Sequence, residues 1–394
     1  TIDTTSELAA AVTAQVAEDR QTIPERRSAE AGMELVADQE PRIRVREPAT
    51  EPAREPPVLD PDWDDEERRA RAMLSTVIEP GDPGFLNQLH EAGNAAELVA
   101  ELRGTPPDRL PQGWQRNLTN VNPESLVNLT SQYGLRYVMP TDPEWPHSLH
   151  QLNNCPPLNG VEGAPIGLWV AGDHQLNEWL NRPVTITGAR ASTNYGETVA
   201  ADLAQQLAGR HTIVSSEALG IDTAVHRATI AADGRMLRVH AGINSPLPLG
   251  HWQTREHLAA GNMMISEIGP RPVRRRDFLA RSRLLAGISA GTVIIEAPLR
   301  GTALTTAAWS KHLGKPTMAV PGPATSAMSV GCHTLIRNQQ ADLVTNADQI
   351  KTALDQTRAG QAEQVQQETV ANVLHDAAPA PDRRQSMDAF RQYN

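Results

Sequence analysis

Small, hydroxyl-bearing and cationic residues follow three apolar segments of the sequence, where a predicted strand gives way to a helix. These apolar segments are 183–187, 212–215 and 291–296. Backbone N–H groups at a helix amino terminus have no intrahelical acceptor, and they attract phosphate. The turns therefore predict an anion pocket formed by Gly188, Arg190, Ser192, Ser215, Ser216, Arg300, Gly301 and Thr302, supported by Gly220, Asp222 and Glu296.

Five arginines in the stretch RRRDFLARSR add positive charge near this pocket. Guanidinium groups fork onto phosphate oxygens and can also stack on bases, so they suit a nucleic-acid strand as well as a mononucleotide. We expect Arg281 and Arg283, two residues apart before the apolar LLAG, to face the pocket. For residues 274–276 a solvated charge run is an equal alternative.

The charge is distributed unevenly along the chain. The 394 residues carry a formal net charge of −11, yet residues 181–350 hold 17 basic and 11 acidic side chains. This segment contains the predicted pocket, and its positive balance favours an anionic ligand.

Several classes of protein are disfavoured by composition. Cys155 and Cys332 form no CxxC pair and lack zinc-site spacing. No apolar run approaches the roughly 18 residues of a membrane span, and the acidic first 20 residues do not resemble a signal peptide. We expect a reduced, cytoplasmic protein without a metal, a cofactor or a membrane segment.

Regularly spaced apolar runs predict the elements that must position the pocket. Amphipathic stretches separate these runs, which indicates βαβ units. The expected fold is α/β, a Rossmann-like, doubly wound, mostly parallel sheet that binds ligands at the carboxyl ends of its strands. The predicted strands lie near 183–187, 212–215, 236–241, 262–266, 291–296 and 317–320.

Composition divides the chain into four predicted parts. Residues 1–65 are acidic and rich in proline, which is typical of a disordered arm. Residues 66–150 form a small helical domain and connector, residues 151–355 the Rossmann-like domain, and residues 356–394 a polar tail.

Several motifs, in this order, resemble those of the DNA-processing protein A family (DprA, also called Smf). The resemblance spans roughly residues 68–350. The motifs are Gly188-Ala189-Arg190 with Tyr195-Gly196, Ser215-Ser216-Glu217-Ala218-Leu219-Gly220-Ile221-Asp222 with His226, the arginine stretch from Phe278 to Arg283, Val320-Pro321-Gly322, and Gly331-Cys332-His333-Thr334-Leu335-Ile336.

The resemblance implies a non-enzymatic mediator that binds single-stranded DNA through Arg190, Arg281 and Arg283. It also implies a homodimer, loading of the RecA recombinase, displacement of single-strand-binding protein, and a sterile-alpha-motif-like helical domain before the sheet. The roles implied are DNA uptake by transformation or recombinational repair. Ser216 and Glu217 depart from the family pattern.

Two enzymatic interpretations compete with the mediator. A dehydrogenase is disfavoured because the turn at Gly188 lacks the G-x-G-x-x-G spacing. A phosphoribohydrolase of the cytokinin-activating type remains the alternative, although no glutamate follows Gly301 and Thr302 where that enzyme class needs one. Cys332 beside His333 is interpreted as a buried residue near a histidine, not as a catalytic dyad.

Overall fold

A computed structural model describes residues 63–104, 110–243, 257–357 and 359. The predicted acidic arm and polar tail lie outside the described residues, apart from a few positions at their edges. Within the described ranges, no helix is long and apolar enough to cross a membrane.

Short helices come first in the described chain, and polar side chains fix where most of them begin. Asp65, Asp82, Asn94 and Asn122 each accept a hydrogen bond from a backbone N–H of the following first turn, which replaces a missing intrahelical acceptor. The helices are α1 (Glu66–Val77), α2 (Pro83–Ala92), α3 (Ala95–Arg103), α4 (Gln112–Thr119) and α5 (Pro123–Tyr133).

The remaining described residues alternate between strands and helices. The strands are β1 (Leu135–Val138), β2 (Leu168–Ala171), β3 (Val184–Thr187), β4 (Ile213–Ser216), β5 (Met236–His240), β6 (Met263–Ser266), β7 (Gly291–Ile294), β8 (Thr317–Ala319) and β9 (Asp342–Leu343). The helices are α6 (Leu176–Trp179), α7 (Asn194–Ala208), α8 (Ile221–Ala231), α9 (Arg275–Ile288), α10 (Thr302–His312) and α11 (Val330–Arg337), with a 3-10 helix at His147–Asn154.

All these strands belong to one sheet of order β1-β2-β6-β5-β4-β3-β7-β8-β9. The pairs β1–β2 and β2–β6 are antiparallel, and the other neighbours are parallel. The predicted strands coincide with β3 to β8 within two residues, because nearly all their side chains are buried, on both faces of the sheet, and each run is rich in apolar residues. The predicted fold class is confirmed.

The helical part of the chain, which consists of helices α1 to α5, packs directly on this sheet. Leu74 and Phe85 share a buried cluster with Tyr137 of β1 and Trp169 of β2. The indole N–H of Trp169 donates to the Ser75 hydroxyl at 2.9 Å. The range 66–150 therefore supplies a strand of the sheet as well as helices.

The strand order reverses between β3 and β7. These strands pair directly, with Ile186 opposite Val293 and Thr187 opposite Ile294, although β4, β5 and β6 come between them in sequence. Open α/β sheets bind ligands at such a switch point, beyond the carboxyl ends of the strands. The turns after β3 and β7 are therefore the first place to look for a site.

Candidate nucleic-acid interface

Two glycines let the turns at the switch point pack closely. A Cβ at Gly188 would lie 2.8 Å from Ile221 and 2.9 Å from the carbonyl oxygen of Glu296. Gly220 has a φ of +74°, and a side chain there would overlap the carbonyl oxygen of Arg190. The turns after β3, β4 and β7 therefore contact one another at a single edge of the sheet, as the predicted pocket requires.

Glu296, two residues beyond β7, directs its carboxylate onto the amino terminus of α7. The backbone N–H of Thr193 donates to Oε2 at 2.9 Å, and the Thr193 hydroxyl donates to Oε1 at 2.6 Å. The same hydroxyl accepts from the Gly196 N–H at 3.1 Å. Only 1% of Glu296 is exposed. A protein carboxylate therefore occupies the position where the sequence suggested a bound anion.

Asp222 in the first turn of α8 is also turned inward. Its Oδ1 accepts from the Thr187 hydroxyl at 2.8 Å and from the Gly188 N–H at 3.3 Å, and its Oδ2 accepts from the Ser216 hydroxyl. Burial raises the pKa of this carboxyl, while the Ser216 hydrogen bond and the Arg281 charge oppose that shift. Asp222 thus holds the turns after β3 and β4 together.

The serines predicted to line the pocket have partners within the protein. Ser215 is fully buried and donates to the carbonyl oxygen of Ile186 at 2.7 Å. Ser216 is 2% exposed, and its hydroxyl is engaged by Asp222. The half-buried Ser192 donates to Glu197 at 2.5 Å. For Ser215 and Ser216 the prediction is corrected, because their hydroxyls hold strand ends together and do not face a ligand.

Arg281 lies below the surface of this edge. Its guanidinium Nη1 is 3.6 Å from Oε1 of Glu217, whose other oxygen contacts His240. Burial lowers the pKa of Arg281, and Glu217 followed by Asp222 counteracts that effect. Glu217 is thus a counter-ion for Arg281.

Arg283 is fully buried. Its Nη2 contacts both carboxylate oxygens of Glu267, one at 2.6 Å, and its Nη1 donates to the carbonyl oxygens of Glu162, at 2.6 Å, and Gly163. Residues two apart on a helix point about 200° apart. Arg281 therefore faces Glu217 while Arg283 faces the opposite side, and the expectation that both face the pocket is corrected.

Phe278 connects the buried and the exposed cations. The guanidinium carbon of Arg190 lies 5.2 Å from the centre of the Phe278 ring, and that of Arg281 lies 5.1 Å from it. Arg190 is exposed, and Phe278 is half-buried. Cations at this distance from a ring face are held by its quadrupole. The edge thus carries an aromatic ring flanked by guanidinium groups.

Arg300 adds a second cationic point after β7. Arg300 is exposed, Gly301 and Thr302 are half-buried, and α10 begins at Thr302. Gly301, at the cap position, has no side chain with which to satisfy the first-turn N–H groups. The Ser282 hydroxyl lies 3.3 Å from the Thr302 carbonyl oxygen, which fixes this helix end against α9.

Large apolar side chains also reach solvent along the same edge. Tyr195, Leu219 and Leu299 are 40%, 75% and 62% exposed, and they follow β3, β4 and β7 respectively. The phenol of Tyr195 donates to the Pro321 carbonyl oxygen at 2.6 Å. Burial, followed by the Glu296 charge, raises the pKa of Tyr195. The rim therefore combines apolar tips with the exposed arginines.

The arginine run before α9 has acidic partners and is not simply solvated. Arg276 lies 3.3 Å from Glu79 and 3.7 Å from Asp82, and Arg274 lies 3.6 Å from Glu79. Arg275 is exposed. Two of these three arginines thus connect α9 to the helical part.

Cys332 and His333 do not form a nucleophile and base pair. Burial raises the pKa of the Cys332 thiol to about 12, and its sulfur lies 3.6 Å from the carbonyl oxygens of Ile294 and Ile295. The His333 ring nitrogen Nε2 lies 3.0 Å from the Gly322 carbonyl oxygen. A buried thiol is a poor nucleophile, which supports the interpretation of Cys332 as a structural residue.

The sequence pattern did not predict a role for the Phe278 ring. Phe278 is three residues before Arg281, and this spacing places both on one face of α9. That spacing was the sequence signal from which the pairing of Phe278 with Arg281 could have been predicted. The inward direction of Glu296 had no comparable signal, because its partner Thr193 is 103 residues away in the chain.

Comparisons with known proteins agree with this architecture. A family model described as DNA recombination-mediator protein A matches residues 136–355. The chain is 37% identical over 330 residues to a putative DNA processing protein DprA of Mycobacterium tuberculosis, covering 79% of this chain and 83% of the relative. It is 29% identical to the Synechocystis protein Smf, covering 61% and 58%. The crystal structure of Streptococcus pneumoniae DprA shares the fold, with a TM-score of 0.57, 24% identity, and coverage of 73% and 97%.

Proposed function

The chain belongs to the DNA recombination-mediator protein A family, and from that premise we propose that it binds single-stranded DNA and delivers the strand to a RecA recombinase. In this proposal it acts in the cytoplasm as a homodimer, competes with single-strand-binding protein, and serves DNA uptake or recombinational repair. The protein itself catalyses no reaction.

The arrangement of Arg190 and Arg281 on Phe278 is the observation that carries this proposal. Single-stranded nucleic acid is bound by cationic grooves that follow the backbone and by aromatic rings on which bases stack. Arg190 is exposed and can contact phosphate, while the buried Arg281 lies 5.1 Å from the centre of the ring. The arrangement therefore combines both elements of a single-strand site.

The apolar rim supports a preference for single strands. Leu219 and Leu299 are the most exposed of the large apolar side chains in the described residues. The bases of a single strand are accessible to such side chains, whereas those of a duplex are stacked and paired. Contacts with unstacked bases would compensate for exposing these leucines to solvent in the free protein.

Exposed cations supply contacts to the phosphate backbone. In the proposal, Arg190 binds one phosphate, and Arg300 with the α10 amino terminus at Gly301 and Thr302 binds another. The net positive charge of residues 181–350 strengthens the attraction. Gly188 and Gly220 contribute by allowing the supporting turns to pack.

The phosphoribohydrolase alternative receives less support from the geometry. That chemistry needs carboxylates facing a ribose phosphate, whereas Glu296 and Asp222 are 1% exposed and bonded to the turns. A nucleotide substrate would have to displace these contacts.

A paired binding and hydrolysis experiment tests the proposed function. Fluorescence anisotropy compares a labelled oligo-dT with a duplex of equal length at several salt concentrations. The same preparation is incubated with nucleoside monophosphates, and released base is measured by chromatography. We expect preferential single-strand binding without base release. Base release without single-strand binding would refute the mediator function and support the phosphoribohydrolase. A third assay measures RecA filament formation on DNA covered with single-strand-binding protein.

A further inference from the structure

The amino terminus of α7 lies where related sheets hold a phosphate. It follows β3 at the switch point, and helix amino termini at such points are ready-made anion sites. In this protein the Glu296 carboxylate lies there, and Glu296 belongs to the turn after β7, the strand on the other side of the switch point. The position is therefore occupied by the chain itself.

The contacts of this helix end engage several of its donors within the protein. Thr193 directs both its backbone N–H and its hydroxyl at Glu296, and Gly196 directs its N–H at the Thr193 hydroxyl. The Glu197 N–H is taken by the Thr193 carbonyl oxygen at 2.9 Å. A phosphate entering this position would have to replace the carboxylate.

Space and charge close the same position. A side chain at Gly196 would overlap the Glu296 carboxylate, so the carboxylate fits directly against the first turn of α7. Glu296 is almost completely buried. A phosphate placed beside it would meet both steric overlap and like-charge repulsion.

We propose that Glu296 is a specificity-determining residue whose carboxylate takes the place of a nucleotide phosphate. It thereby excludes mononucleotides from the switch point and leaves only the outer rim, with Arg190 and Arg300, to bind the backbone of a polymer. The binding of a polymer backbone at the outer rim rests on the proposed function, whereas the exclusion of phosphate monoesters is independent of DNA binding.

Three substitutions of Glu296 distinguish the effect of its side-chain volume from the effect of its charge. Glu296→Ser and Glu296→Ala vacate the position, whereas Glu296→Gln removes the charge but keeps the volume. Glu197→Ala is the matched control, because Glu197 is an exposed acid in the same first turn of α7. Titration calorimetry and thermal unfolding with inorganic phosphate and with dTMP measure binding, and circular dichroism verifies folding.

We expect phosphate and dTMP to bind the Ser and Ala variants at least about tenfold more tightly than they bind the wild type. The Gln and Glu197→Ala variants should show no such gain. Vacating the position also leaves the Thr193 donors unpaired, so phosphate should raise the unfolding temperature of the Ser and Ala variants.

The proposal is overturned if a folded Ser or Ala variant gains no affinity, or if the Gln variant gains as much as they do. The wild type supplies a further test that needs no variant. It should bind dTMP no more tightly than millimolar, and micromolar binding would contradict the exclusion. Failure of wild-type oligo-dT binding would instead refute the proposed function, leaving the phosphate result to decide the role of Glu296.

Discussion

Replacement of Arg190 by alanine tests whether the exposed guanidinium contacts DNA. Arg190 lies after β3, is exposed, and is held over the Phe278 ring at 5.2 Å. Its backbone carbonyl lies against Gly220, but no buried ion pair depends on its side chain among the described residues. We therefore expect Arg190→Ala to fold normally and to weaken binding of oligo-dT.

The expected loss follows from counterion release. One lost phosphate contact lowers the slope of log affinity against log salt by about 0.7 for a single strand. At 0.1 M salt this corresponds to roughly fivefold weaker binding, or about 1 kcal/mol, and the difference should disappear as the salt concentration approaches 1 M. Anisotropy titrations of oligo-dT at four or more salt concentrations measure the slope directly.

Arg210→Ala is the matched control for this experiment. Arg210 is also exposed, but it follows the carboxyl end of α7, whose 15 residues span about 22 Å away from the turn containing Arg190. The control should retain the wild-type slope. Equal slopes for wild type and Arg190→Ala, or an equal decrease in both variants, would refute the assignment of Arg190 to the interface.

Three further substitutions probe the ring, the buried ion pair and a buried lysine. Phe278→Leu should weaken oligo-dT binding by about 1–3 kcal/mol if one base stacks on the ring, with the salt slope unchanged in the same titrations. Arg283→Met should destabilise the fold by about 3–5 kcal/mol, because the Glu267 carboxylate loses its buried partner. In urea unfolding, the double variant with Glu267→Gln should be more stable than Arg283→Met alone. Burial lowers the pKa of Lys315 to about 8 from 10.5. Between these pH values the unfolded chain therefore binds more protons than the folded chain, so the free energy of unfolding of the wild type should rise with pH. The expected rise is on the order of 2 kcal/mol between pH 8 and 10. Lys315→Met should lack this rise, and identical pH dependence of wild type and variant in urea unfolding would contradict the assignment.

The Arg283 result changes how the arginine stretch is used in experiments. A double substitution of Arg281 and Arg283 would confound DNA binding with unfolding, because Arg283 holds Glu267 and the backbone of Glu162 and Gly163. Substitutions at Arg190, Arg300 and Phe278 address the surface without that complication. Binding at this edge is therefore measured with variants of the exposed Arg190 and Arg300 and of the half-buried Phe278.

The sheet was largely predictable because its signals are local. The strands near Val184, Ile213, Met236, Met263 and Gly291 are short runs rich in apolar residues, and the helices between them have one apolar face. The antiparallel pairing of β1 and β2 with β6 was not predicted. Their register depends on contacts such as Tyr137 opposite Trp169, which no local pattern encodes.

The sequence predicted the location of the candidate site but not which of its side chains face a ligand. Strand order and helix starts placed Gly188, Gly220, Asp222 and Glu296 together at one edge, since the carboxyl ends of parallel strands meet there. Residue type alone could not distinguish an arginine that faces DNA from one that pairs with a buried carboxylate. That distinction depends on partners distant in sequence, such as Glu267.

The sequence by itself determined the doubly wound sheet, the edge at which its turns converge, and the arginines and glycines found there. The tertiary structure decided which charges remain for a ligand. Glu296 and Asp222 accept hydrogen bonds from the backbone N–H groups of Thr193 and Gly188, and Arg283 is neutralised inside the protein. Arg190 remains exposed over Phe278. The physical reason is that a buried charge must find a partner in space, and its partner is fixed only when distant segments have packed.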